Sequence, residues 1–186
     1  MREHGFIPWD DDVDICMLRE DYNRFLSVAP GLLPESYRLS SCYTSLTHNQ
    51  PFAAVLNRTD VGADEELNRQ FFECPFICGI DVFPLDYISD DKQADEIQIS
   101  AINILYDCAQ KFDELKRSGE LEQRVSQIEQ LFNIHLDRDE KLHQNLWKLE
   151  DSISSMYSEA DGKMVVLEYN RLTGEGSVMP ASQLSA

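Results

Sequence analysis

Basic residues are scarce in this chain. Sixteen Lys and Arg stand against 34 Asp and Glu, a formal net charge of -18 over 186 residues. So acidic a surface repels phosphate backbones and anionic headgroups, which argues against general nucleic-acid binding. If the substrate is itself a phosphate or nucleotide, metal ions and a few local Arg or Lys residues must offset that repulsion. Long apolar runs are missing too: nothing approaches the roughly 20 residues that a membrane-spanning helix needs, so the protein is expected to be soluble or at most peripheral. Cysteines number only five, an odd count with no signal peptide in view, which favours a reducing cytoplasm. Cys74 and Cys78 have a metal-like spacing. No second Cys/His pair lies nearby to complete a tetrahedral set, so they read as buried thiols acting as small apolar residues. Internal repeats and low-complexity segments are absent. The hydrophobic fraction of 42% is that of an ordinary globular chain, and one domain with a core accounts for the length.

The most informative stretch is Gly5-Phe6-Ile7-Pro8-Trp9-Asp10-Asp11-Asp12-Val13-Asp14-Ile15. Its end alternates Asp12, Val13, Asp14, Ile15, the period of a β-strand. On such a strand Asp12 and Asp14 share a face with Cα atoms about 6 to 7 Å apart. Two carboxylates so close are tolerable near neutral pH if a divalent cation lies between them or one stays protonated. A solvated acidic turn fits poorly, because Phe6, Ile7, Trp9, Val13 and Ile15 crowd the acids. A calcium loop fits poorly as well. Asp10, Asp12, Asp14 and Asp21 fall at its first, third, fifth and twelfth places, but Ile15 occupies the sixth, where a sharp turn needs Gly.

Downstream, Arg19 to Leu26 reads as a helix with Tyr22, Phe25 and Leu26 three and four apart, broken by Pro30-Gly31 and Pro34. Tyr37 to Tyr43 and Phe52 to Leu56 read as an antiparallel strand pair beside the first strand. Phe76 to Tyr87 is apolar almost throughout, as a buried strand should be, yet Asp81 stands in its middle. A buried, unpaired carboxylate costs at least several kcal/mol, so Asp81 needs a partner, and a cation held by Asp12 and Asp14 is the most economical one. Asp91 to Gly119, Leu121 to Ile134 and Asp139 to Tyr157 carry helical periodicity whose plain meaning is helix packing. Lys163 to Tyr169 is a short strand candidate, followed by a polar tail that closes no core. The acids thus point to a magnesium or manganese site completed by Asp81, suited to phosphoryl transfer.

The run from Arg2 to Ile15, followed by Met17-Leu18-Arg19-Glu20-Asp21-Tyr22, closely resembles the LicD family of phosphotransferases, and Gly79-Ile80-Asp81-Val82-Phe83-Pro84-Leu85-Asp86 resembles its second signature. The resemblance is good to about Tyr87 and loose through the helical part. It implies an α+β domain of the nucleotidyltransferase (polymerase β-like) fold, with a small mixed sheet carrying the acids and helices packed around it. It implies further that Asp12 and Asp14 are paired metal ligands and Asp81 the third carboxylate, which also orients or deprotonates the acceptor hydroxyl. The implied chemistry is transfer of phosphocholine, or a similar phospho-alcohol, from CDP-choline or another CDP-alcohol to a hydroxyl of a surface glycan. Lipopolysaccharide, teichoic acid or capsule would be the acceptor, met as a lipid-linked glycan at the cytoplasmic membrane face.

Arg2, Arg19 and Arg58 are the candidate phosphate contacts, each weighed against surface pairing with nearby acids. His4 has no partner at catalytic spacing, Asp10 and Asp11 read as support for the local field, and Asp86 reads as a support for the site or a cap. Three departures from the family pattern stand out. A Gly-Thr-Leu-Leu-Gly-like segment that precedes the motif in the family is absent before Arg2, and Ala53-Ala54 occupy a strand position where the family usually carries Lys. The usual acidic and aromatic carboxyl-terminal section is also missing after Ala186. The expectation is therefore a single LicD-like domain over residues 1–186 lacking both flanking segments; the competing expectation is a non-catalytic relative that acts as a binding module.

Overall fold

The computed structural model describes residues 13–58, 64–71, 73, 76–167 and 178–184. Its organising strand is β4 (Gly79–Tyr87), to which β1 (Asp14–Leu18) pairs in parallel and β3 (Ala53–Leu56) pairs antiparallel. Strand β2 (Arg38–Ser40) extends the sheet beyond β3, so the β2-β3 pair lies beside β4 and not beside β1. Where β3 leaves off, β5 (Met164–Val166) takes over against Asp86 and Tyr87, and β6 (Met179–Pro180) pairs with β5. The result is a small mixed sheet, mostly antiparallel, with helices packed around it.

Side-chain alternation divides this sheet into two faces. Met17, Leu39, Ala53 and Val82 fall on one, and they pack with Tyr22, Phe25 and Leu26 of α1 (Arg19–Leu32). Asp14, Asp81, Ala54 and Ser40 fall on the other. Helix α1 runs straight through Pro30, contrary to the break expected there. Pro30 lies only two residues from the helix end, so the one amide bond it forgoes and any bend it causes fall in the last turn.

The helical half contains α3 (Lys92–Gln110), α4 (Phe112–Ser118), α5 (Leu121–Phe132) and α6 (Leu142–Ser154), and α2 (Glu65–Gln70) is a short helix after β3. The stripe expected as one helix to Gly119 is divided at Lys111, and Gly119 closes α4 in the left-handed region at φ 81°. Asp91 caps α3 by accepting from the Gln93 and Ala94 amides. The stripes converge on one core: Leu105, Val125, Ile128, Leu146 and Trp147 are fully buried. Strand β6 stands just before the polar tail of Ala181 to Ala186, and the tail's first residue is tied down, since the Ala181 amide donates to the Lys163 carbonyl. Gly162 lets this turn approach β4 closely; a Cβ there would stand 1.9 Å from the Ile88 carbonyl oxygen.

Candidate active site

The register of the parallel pair brings two of the expected site residues together. Asp14 on β1 is the direct partner of Asp81 on β4, and the Asp81 amide donates to the Val13 carbonyl at 3.2 Å. Neighbouring strands run about 4.8 Å apart, and paired residues point to the same side. The two carboxylates therefore project side by side from one face. The row continues through Ala54, partner of Asp81, to Ser40, partner of Ala54. Ala54 is small and buried, so the β3 side of Asp81 is covered and access to it is from the Asp14 side.

Asp81 is half-buried, and Phe76, Ile77 and Ile80 nearby are exposed. The near-continuous buried strand expected from its apolar composition is thus not what forms: burial begins at Val82, and the carboxylate sits at the open end. Asp14 is exposed. Two oxygen-rich side chains presented together at an accessible edge suit a hard cation that retains water and takes phosphate oxygens. Among the described residues, no group of three or more His, Cys, Asp and Glu is placed to hold a metal. Asp12, the expected third ligand, lies outside the described residues, as do Arg2, His4, Asp10 and Asp11.

Cys16 follows Asp14 on the same strand face and is exposed; partial burial and the Asp14 charge both raise its thiol pKa. Cys78 is exposed too, not buried as its apolar surroundings suggested, because it precedes the covered part of β4.

Arg19 and Arg58 take different places. Arg19 is 6% exposed and falls on the face opposite to the acids. Its Nε and Nη2 donate to the two oxygens of Asp86 at 2.6 Å each, and its Nη1 donates to Asp151 of α6 at 2.7 Å. Tyr43 Oη donates to the remaining Asp151 oxygen at 2.6 Å, and the Arg19 guanidinium lies 5.3 Å from the Tyr22 ring centre. Burial alone would lower the Arg19 pKa, but the hydrogen bonds and charges of Asp86 and Asp151 overcome it and raise it, so the guanidinium is charged. Asp86 caps no helix; both of its carboxylate oxygens are taken by Arg19.

Arg58 follows β3 and donates from Nη1 to Asn68 Oδ1 at 2.8 Å. With Arg38, Ser40 and Asn57 it lines a cleft of about 530 Å³. Arg38 and Ser40 share the face of Asp81, so this cleft opens on the side of the sheet that carries the acids. Sequence reasoning missed Arg38 and Ser40. Nothing local marks them; only strand pairing puts them in line with Asp81. The cleft wall is held by His48, whose Nε2 donates to the Phe52 carbonyl at 2.6 Å. Its Nδ1 is then the acceptor for Ser40 Oγ at 2.9 Å. Burial lowers the His48 pKa, in keeping with this neutral form.

Comparison with known proteins adds a family to this geometry. Residues 1–55 match the sequence profile described as LicD/FKTN/FKRP, nucleotidyltransferase domain. A segment of 28 residues is 57% identical to the lipopolysaccharide cholinephosphotransferase LicD of Haemophilus influenzae, covering 15% of this chain and 11% of that protein. No solved structure matches the chain. The matched residues contain β1, α1, β2 and most of β3, the part of the sheet that carries Asp14, and over them this chain is similar to the LicD family.

Proposed function

We propose that this chain is a metal-dependent phosphotransferase domain of nucleotidyltransferase fold. It moves phosphocholine, or a similar phospho-alcohol, from a CDP-linked donor to a hydroxyl of a cell-surface glycan. The observation that carries the reading is the parallel register that sets Asp14 directly beside Asp81 on an accessible sheet face. The family match over residues 1–55 supports the reaction class, and the name of the Haemophilus relative supports choline phosphate as the group moved.

In this reading Asp14 and Asp81, with Asp12, hold magnesium or manganese. The cation supplies charge neutralisation for the donor phosphates, without which so acidic a chain would repel them. Asp81, half-buried on the face it shares with Asp14, orients the acceptor hydroxyl and receives its proton. Arg38 and Arg58, in the cleft on the same side, offer donors to phosphate or sugar oxygens. Reaction would occur at the cytoplasmic face of the membrane, where lipid-linked glycans are accessible; no described helix is long and apolar enough to cross it.

The test is release of CMP from CDP-choline, followed by phosphorus NMR in the presence of manganese and a glycan acceptor. Metal-dependent release that Asp81→Asn abolishes supports the proposal. Absence of both release and CDP-choline binding by the wild-type chain would overturn it and leave a non-catalytic relative.

A further inference from the structure

The ion pair between Arg19 and Asp86 has a relation to the acids that its burial conceals. The register runs Asp14 with Asp81, Ile15 with Val82, Cys16 with Phe83, Met17 with Pro84 and Leu18 with Leu85. Arg19 and Asp86 stand one position beyond the end of this ladder, Arg19 opening α1 and Asp86 still on β4, and they are joined through both carboxylate oxygens at 2.6 Å. Strand β1 pairs only with β4 among the described strands, and its first three residues are exposed. Register is strongly specified where one face is buried and weakly specified where it is not. Apolar burial therefore does little to fix β1 at the end where Asp14 stands. A slip of one residue would turn Asp14 to the opposite face, and it would also carry a buried guanidinium away from the two oxygens that match its fork.

We infer that Arg19 and Asp86 are positioning residues: their buried fork sets the β1-β4 register that holds Asp14 beside Asp81. Asp151 extends the clamp, because the second arm of Arg19 and the hydroxyl of Tyr43 both close on it, tying the register to α6 and to the loop after β2. Arg19 thus acts through the strand pairing, about 16 Å along the sheet from the acids, in place of the phosphate contact that its position beside the motif suggests. The consequence for metal affinity rests on the function proposed above; the consequence for register does not.

A disulfide reads the register without any metal. Phe83→Cys, made in a Cys74→Ser/Cys78→Ser background, faces the native Cys16 on one rung, and paired positions on adjacent strands lie within disulfide reach. In this background copper-phenanthroline oxidation is expected to join the two thiols. Adding Arg19→Lys or Asp86→Asn, each measured well below its own melting temperature, should cut the yield by about fivefold or more as the register loosens. Ile128→Ala, a comparable destabilisation in the helical core, should leave the yield unchanged. Undiminished cross-linking in both Arg19→Lys and Asp86→Asn would overturn the inference, as would an equal loss in Ile128→Ala. Manganese affinity provides the second readout: Arg19→Lys should weaken it by about tenfold or more. An affinity equal to wild type in a variant that has lost the cross-link would overturn the link to the acids. If the wild-type chain binds no manganese, the metal reading fails while the disulfide result still decides the clamp.

Discussion

The two halves of this molecule are held together by different physics. In the helical half, apolar side chains at helical spacing meet in one core, and Leu105, Val125, Ile128, Leu146 and Trp147 are removed from water completely. In the sheet half, the apolar cluster among the described residues is small, built on Tyr22, Ala53 and Val82, and beside it lies a buried ionic contact of Arg19 with Asp86 and with Asp151 of α6. Apolar burial is non-directional and tolerates small displacements, whereas a forked ion pair is satisfied by one geometry. A site that must keep two carboxylates side by side gains from the second kind of restraint. The helical half supplies stability; the sheet half supplies placement.

The largest effect on that comparison should come from Trp147→Ala. The indole is fully buried, meets Tyr106 edge-on at 5.7 Å, and donates to His143. Its loss should lower unfolding free energy by about 4 kcal/mol, measured by urea titration, with manganese affinity of the folded fraction unchanged. Asp151→Asn comes next. It keeps the shape but removes one charge from the Arg19 clamp and should cost about 2 kcal/mol. The contrast with Trp147→Ala is that register-dependent properties should change with it.

A smaller, pH-confined effect belongs to the helical half. Hydrogen bonds from Arg138 and the Leu136 amide hold the Glu129 carboxyl down to about 2 from an ordinary 4.5. A depressed folded pKa contributes stability that is full above about 4.5 and is lost as pH falls toward 2. Thermal melts at stepped pH should show that loss in wild type and a flatter profile between these limits in Arg138→Met. Carboxyl NMR of the variant should place Glu129 closer to 4.5. The smallest effect on stability is expected of Asp14→Asn, about 0.5 kcal/mol or less because the side chain is exposed. Thermal melts would check this.

How far the sequence reaches also differs between the halves. The helices were legible because their signal is local: residues three and four apart share a face, and Ser118-Gly119 marks a stop that the structure honours with a left-handed glycine. In the sheet, alternation after Asp12 announces a strand, and Asp81 inside an apolar run asks for a partner. That Asp14 is the residue facing it depends on register, which no local pattern encodes here. The same limit explains Arg19. Beside an acidic motif it resembles a phosphate contact, while its second carboxylate partner, Asp151, is 132 positions away. Strand β6 escaped notice because a two-residue strand just ahead of a polar tail has no periodicity to read. The expected ligand Asp12 lies outside the described residues, so the pairing of Asp14 with Asp81 carries the weight of the site.

That pairing is also where the account can be tested most directly, by titrating manganese into the wild-type chain, Asp14→Asn and Asp81→Asn and following the free ion by electron paramagnetic resonance. The account predicts one saturable site in the wild type, weakened by about tenfold or more in each variant while the fold by circular dichroism stays the same. Unchanged manganese binding in both variants would contradict it.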